Sequence, residues 1–210
     1  AAKAASAKPE SLDALLAAKL DSGETVDERR RALIAKIGEN ISVRRFALLT
    51  SKGPLGAYVH GTRIGALVAL EGGDDSLARD LAMHVAASNP RYLNAAAVPA
   101  EVVSKERDIL TEQAQNEARG KPPEILAKMV EGRLRKSLAE ITLAGQPFVK
   151  DPDTSIEKLL KGASANVSAY ERFEVGAGIE KKQEDFAAEV MAQVKGSTPK
   201  PNDPNEPTKH

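Results

Sequence analysis

The sequence contains no cysteine, so disulfides, thiolate nucleophiles and thiolate zinc sites are excluded. Tryptophan is absent, and only three tyrosines and four phenylalanines occur, too few for a platform that stacks successive bases. The three histidines (His60, His84 and His210) leave little material for a histidine metal site. Neither sign of charge is in excess: 30 Lys+Arg balance 30 Asp+Glu, so no general affinity for nucleic acid or anionic membranes is expected. Long apolar runs are also missing. The longest aliphatic stretch, Ala66-Leu-Val-Ala-Leu70, falls far short of the roughly 20 residues of a membrane helix. The opening Ala/Lys/Ser segment has no secretory apolar core. These features lead us to expect a soluble, cytoplasmic protein of one or two domains in 210 residues.

What is present is alanine and helix periodicity, interrupted by a β-rich stretch. Residues 1–24 read as a frayed tail followed by a short helix capped by Ser11. Val26, Leu33 and Ile37 mark an amphipathic helix over 25–37 that closes at Gly38. Alternation then predicts strands at 41–49, 55–60 and 64–71, forming an antiparallel meander, the last two joined by Gly61-Thr-Arg63. Leu77, Leu81, His84 and Ser88 share one face of a helix that ends before Pro90. Two long helices over 99–143, broken at Gly120-Lys-Pro-Pro123, predict a protruding antiparallel hairpin with a narrow, coiled-coil-like stripe. Thr154-Ser-Ile-Glu157 matches a capping box, and 167–175 alternates as a fourth strand. Phe186, Val190 and Val194 mark a last helix over 183–196, and the four prolines of 197–210 mark a disordered tail. The expected fold is therefore α+β. Its core comprises 25–98 and 144–182, and the hairpin 99–143 is inserted into it.

Motifs that would carry chemistry fail on inspection. Gly120-Lys121 lacks the upstream glycine and the Ser/Thr of a phosphate loop, and Gly176-Ala-Gly178 has Lys181 where a dinucleotide fingerprint needs glycine. Gly162-Ala-Ser-Ala-Asn166 is one glycine short of a nucleophile elbow. The Asp151-Pro-Asp153 stretch lacks both the turn glycine and the terminal glutamate of a calcium loop. No catalytic residue, metal site or cofactor is expected. Two features remain. His84 lies on an apolar stripe, either as a packed, hydrogen-bonded ring or as a partner contact. The tip His60-Gly-Thr-Arg-Ile-Gly65 joins a basic residue, an aliphatic one and two glycines, either as a turn needing positive φ or as a contact surface. The basic cluster Arg133, Arg135 and Lys136 reads as a solvated helix face.

Eight runs in this order resemble elongation factor Ts, the family of guanine-nucleotide exchange factors for bacterial elongation factor Tu. They are Lys36-Ile-Gly-Glu-Asn-Ile41 with Arg44-Arg45, His60 to Gly65, Ala82-Met-His-Val-Ala-Ala87, Gly120-Lys-Pro, Lys128-Met-Val-Glu-Gly-Arg133, Gln146-Pro-Phe-Val149, Arg172-Phe-Glu-Val-Gly176 and Gly178-Ile-Glu180. Together they span about 25–195. The resemblance implies an exchange factor that binds elongation factor Tu and promotes GDP release, binds no nucleotide itself and catalyses no covalent step. Its implied partner-facing residues are His60, Arg63, Ile64, Gly65, Met83, His84 and Phe186, and its helical hairpin would serve self-association. The family's three-helix front module and its Thr-Asp-Phe-Val-Ala stretch have no match here, so the chain resembles a factor lacking that front part. A second reading follows, a fragment that docks on elongation factor Tu without efficient exchange. The residues from Lys195 onward run past the family's usual end.

Overall fold

In a computed structural model, the structure describes residues 1–117 and 120–178. The centre of the fold is a hairpin, β1 (Leu55–His60) and β2 (Ile64–Glu71), with Ala57 opposite Leu67 and His60 opposite Ile64. Gly61 sits at φ +55°, the left-handed turn conformation that glycine adopts without steric cost. The third strand, β5 (Asn166–Glu174), comes from far along the chain and pairs antiparallel with β2, giving the order β1-β2-β5. A register shift at Ala69/Leu70 adjusts this pairing.

One sheet face is covered by α4 (Asp75–Ser88), capped by the Asp74 carboxylate accepting from the Leu77 N–H. Its apolar stripe of Ala78, Leu81, Ala82, Val85 and Ala86 packs on Ala66, Val68 and Leu70 of β2 and Val167 of β5. Small residues let the backbones approach closely. A Cβ added at Gly56 of β1 would lie 2.0 Å from the Ala78 carbonyl oxygen, so only glycine fits under the helix there. Leu143, Phe148, Ile156 and Leu160 complete this core.

The connection from α4 to β5 carries the other elements. After a short 3₁₀ turn at Ala95–Ala97 come α5 (Ala100–Glu117) and α6 (Pro123–Ile141), which pack on each other through Leu110, Ala114, Val130 and Leu134. Arg107 pairs with Glu131 and Arg133 with Glu117 across this seam. Those ion pairs are solvent-exposed and contribute about 0–1 kcal/mol each, so the apolar seam holds the helices together. A small ladder follows, β3 (Pro147–Phe148) against β4 (Asp151–Ser155), then α7 (Ile156–Gly162). At the front lie α1 (Ala2–Ala7), α2 (Leu12–Ala17) and α3 (Val26–Ile37). Thr25 and Glu28 make a reciprocal capping box on α3, and Gly38 ends it at φ +79°.

The α+β expectation holds, with three corrections and one feature it did not address. The predicted strand at 41–49 does not form. Its alternation is real, but the Arg45 guanidinium stacks 4.8 Å from the centroid of Phe173 on β5, and no ladder joins this stretch to β1. The meander is therefore a two-strand hairpin completed by β5. The expected tail at 1–10 contains helix α1, with Ala4 buried, and its alanines favour helix where the lysines suggested solvent. The capping residue of α7 is Ser155 rather than Thr154, because Ser155 Oγ is the atom that reaches the Lys158 N–H. Finally, α3 buries no residue completely, so its apolar face remains partly open in this chain.

Residues 1–175 make one compact unit, and a second begins at Gly176. The helix expected over 183–196 and the tail over 197–210 lie outside the described residues. No helix among the described residues is long and apolar enough to cross a membrane.

Gly56→Ala tests the packing of α4. The added methyl must displace backbone rather than a flexible side chain, so the variant should lose about 1–3 kcal/mol or more of stability by urea denaturation. An unchanged midpoint would show that α4 does not sit this close to the sheet.

Candidate functional site: the β-hairpin turn and the α4 helix

The residues singled out in the sequence separate into two environments. His60, Arg63, Ile64 and Gly65 form the turn end of the β1–β2 hairpin, where His60 and Arg63 are exposed and Ile64 and Gly65 half-buried. The Arg63 N–H donates to the His60 carbonyl, closing the turn, and the Arg63 carbonyl accepts from the Val175 N–H just beyond β5. The tip is thus fastened on both sides. The Tyr58 hydroxyl lies 3.3 Å from His60 Nδ1, and their rings stack at 6.3 Å. Arg63 offers a guanidinium on a fixed turn.

His84 behaves differently. It is fully buried. Its Nδ1 accepts from the Val149 N–H at 3.3 Å, which leaves the proton on Nε2 to donate to Gln146 Oε1 at 3.0 Å. The Gln146 amide then donates to the Glu140 carbonyl at 2.8 Å. The Phe148 ring packs beside it, with centroids 6.1 Å apart. No solvent-reaching ring is found, so in this structure His84 joins α4 to the 140–149 segment as a packed, bonded side chain. Met83, its neighbour on α4, is half-buried. It stands one turn before Ala86, whose carbonyl accepts from Arg172 Nε of β5 at 3.1 Å. Arg172 lies opposite Ala66 on β2, two residues along from Ile64, so this part of α4 covers the turn end of the sheet. Phe186 lies outside the described residues.

No cluster of three or more metal-ligating side chains occurs among the described residues. Two hollows exist. One, of about 320 Å³, lies between α5 and α6 beside Arg107, Leu126 and Glu131. The other, of about 570 Å³, lies between α6, the 94–96 turn and α7, with Arg135, Glu157 and Lys161 among its lining residues.

Set beside known proteins, residues 1–177 match the family described as Elongation factor TS. The chain belongs to this family. Elongation factor Ts of Methylococcus capsulatus is 55% identical over 198 residues, covering 94% of this chain and 67% of the relative. That of Alkalilimnicola ehrlichii is 56% identical over 191 residues, 90% of this chain and 64% of the relative. That of Francisella tularensis subsp. novicida is 56% identical over 196 residues, 93% and 66%. The chain thus spans about two thirds of the length of the curated relatives it matches. The family match takes in the first 24 residues, where the eight runs began only near residue 25. Elongation factor Ts is a translation factor.

The Gln146–His84–Val149 bonding is the part of this region that sequence reading missed, and the only cue was a lone glutamine beside Pro147. Burial holds the His84 pKa below its ordinary value of 6.5, with the Gln146 bond opposing the shift. Protonation would also turn the Nδ1 acceptor into a donor facing the Val149 N–H. The unfolded chain therefore binds this proton more readily than the folded one, and stability falls as pH drops below about 6.5 toward the lowered folded value. Urea denaturation from about pH 8 down to pH 5 should show that decline. His84→Leu should remove this component and cost about 1–3 kcal/mol at neutral pH through the partners left unpaired. A flat profile in the unaltered chain would contradict the neutral, buried ring.

Proposed function

We propose that this chain docks on elongation factor Tu through the hairpin turn His60–Gly65, with the adjoining end of α4 as its support, and promotes release of GDP. The observation that carries the reading is that turn, a solvent-facing basic tip fastened by backbone hydrogen bonds to a sheet that α4 covers on one face, in a chain of the elongation factor Ts family. A tip held at fixed geometry loses little conformational freedom when it docks, so more of its contact energy appears as binding.

Exchange of this kind needs no covalent step. A factor that binds the nucleotide-free GTPase more tightly than the nucleotide-bound form weakens the nucleotide by the same factor, because the coupling is reciprocal. Weakening by about 10⁴ requires roughly 5.5 kcal/mol of differential binding. Central interface side chains are worth about 2–4 kcal/mol each, so two or three well-placed contacts suffice. Arg63 is the exposed charge on the turn, and Ile64 and Gly65 follow it into β2. His84 would act through α4, by holding Met83 and the helix in place. Phe186 would add a contact from the residues beyond 178. The α5/α6 hairpin, with Ile109 and Ile125 exposed, would serve self-association between copies.

Stopped-flow release of fluorescent GDP from elongation factor Tu tests the reading. Added chain should accelerate release in a saturable manner. Arg63→Ala should weaken docking by about 1–2 kcal/mol, roughly 5- to 30-fold in Kd, with an unchanged melting temperature. Binding without acceleration would favour the second reading, a docking fragment. That reading rests on the chain spanning about two thirds of its relatives' length. Absence of binding would remove both.

A further inference from the structure

Pro90 leaves the last turn of α4 short of a donor. The Val85 carbonyl accepts from the Asn89 N–H, and Asn89 closes the helix in the left-handed conformation at φ +46°. The next carbonyl, that of Ala86, would take its bond from residue 90, and proline has no N–H to give. Ala86 is a buried residue, and a buried carbonyl without a donor is costly. Strand β5 supplies the donor: Arg172 Nε bonds to the Ala86 carbonyl at 3.1 Å. A cation there also suits the negative end of the helix dipole. Two residues earlier on the same face, the Tyr170 hydroxyl donates to the Pro90 carbonyl at 2.9 Å.

Arg172 does more than cap a helix. Its Nη2 donates to Glu174 Oε2 at 3.1 Å, and only 13% of its side chain is exposed. Glu174 stands opposite Ile64, the first residue of β2. The N–H that follows it, from Val175, donates to the Arg63 carbonyl of the turn at 2.8 Å. One planar side chain therefore bonds the end of α4 on one side and the strand end that fastens the turn on the other. A guanidinium can serve two acceptors at fixed geometry in this way. Tyr170 stands opposite Val68, four residues into β2 from Ile64, and its single hydroxyl proton is committed to Pro90.

We infer that Arg172 is a positioning residue for docking, tying the strand end that holds the turn to α4 so that the tip meets its partner already in place. This rests on the docking reading above and names the side chain that supplies the tip's fixed geometry. Without the bridge, the end of β5 would keep its ladder bonds and the Arg45 stack on Phe173 but lose its tie to α4. Local opening there would free the Arg63 carbonyl, and with it the turn. The partner would then have to order the tip at each encounter, a cost that appears as weaker binding. Arg172 makes this contribution from the α4 face of the sheet, without touching the partner.

Arg172→Lys tests this, because lysine keeps the charge and loses the planar fork. In the free chain, hydrogen exchange at the Val175 amide should quicken at least about tenfold, with the α4 amides at Leu81 to Val85 unchanged. The Kd for nucleotide-free elongation factor Tu, from titration calorimetry well below the melting temperature, should rise about three- to tenfold through a less favourable entropy. Tyr170→Phe is the control. It strips the Pro90 carbonyl of its donor at the same helix end, so it should lower the melting temperature and leave both Val175 exchange and Kd unchanged. Should Arg172→Lys fail to fold, Glu174→Gln keeps the Ala86 bond, weakens only the link toward the turn, and should give the same two changes at smaller size. If Arg172→Lys lowers the melting temperature but alters neither Val175 exchange nor Kd, Arg172 only caps the helix; the inference is wrong and the docking reading stands. Equal weakening by Arg172→Lys and Tyr170→Phe would also overturn it, since the effect would belong to the whole helix end. Weaker binding with unchanged exchange at Val175 would overturn it too, because Arg172 would then act on the partner directly. If the unaltered chain does not bind at all, the docking reading falls and the inference falls with it.

Discussion

One buried imidazole joins parts of the chain that are more than sixty residues apart. His84 on α4 bonds to Gln146 and to the backbone of Val149, and Gln146 bonds back to the end of α6. Around it, the N–H groups of Arg91 and Tyr92 donate to the Ile141 carbonyl, and the Leu143 N–H donates to Tyr92. Both ends of the two-helix excursion are thereby anchored beside α4. The same helix lies close enough to the sheet to require glycine at position 56. A buried ring with both nitrogens bonded specifies one arrangement, because any displacement leaves polar groups without partners in a dry core. The hairpin turn projects from the sheet that α4 covers, and its own backbone hydrogen bonds hold it.

This arrangement divides the work between two histidine-containing regions that look similar in sequence. The turn His60–Gly65 is held by backbone hydrogen bonds and presents its side chains outward. The α4 segment is held by side-chain packing and presents little. A surface that is to discriminate between states of a GTPase gains from such division, since differential binding is lost when the contact surface reorganises at each encounter. The ordered tip offers charge, and the packed core beneath it is closed.

Much of the fold was legible because its signals are local. The Asp74 cap, the Gly38 stop, the Gly61 turn and the spacing of Leu110, Ala114, Val130 and Leu134 each report a backbone or packing need at their own position. The failures concern long-range partners. The 41–49 stretch alternates like a strand, but it joins no ladder; Arg45 stacks on Phe173 and the Ile41 carbonyl accepts from Arg30. His84 sat between two readings because a histidine on an apolar stripe looks alike whether or not something covers it. The covering residues, Gln146 to Val149, come from another part of the chain. Gly65 was legible as a glycine, but the sequence could not show that a Cβ there would meet no described atom within 4 Å.

The central claim is that a fixed hairpin tip makes the contact while α4 stays a closed support. Hydrogen exchange of the chain, alone and saturated with nucleotide-free elongation factor Tu, tests this directly. The α4 amides around Leu81 to Val85 should exchange slowly in the free chain and change little on binding. New protection should be concentrated at 59–65 and 173–175. Protection centred on Met83 and His84, with the hairpin turn unchanged, would contradict the account and return α4 to the role of contact surface.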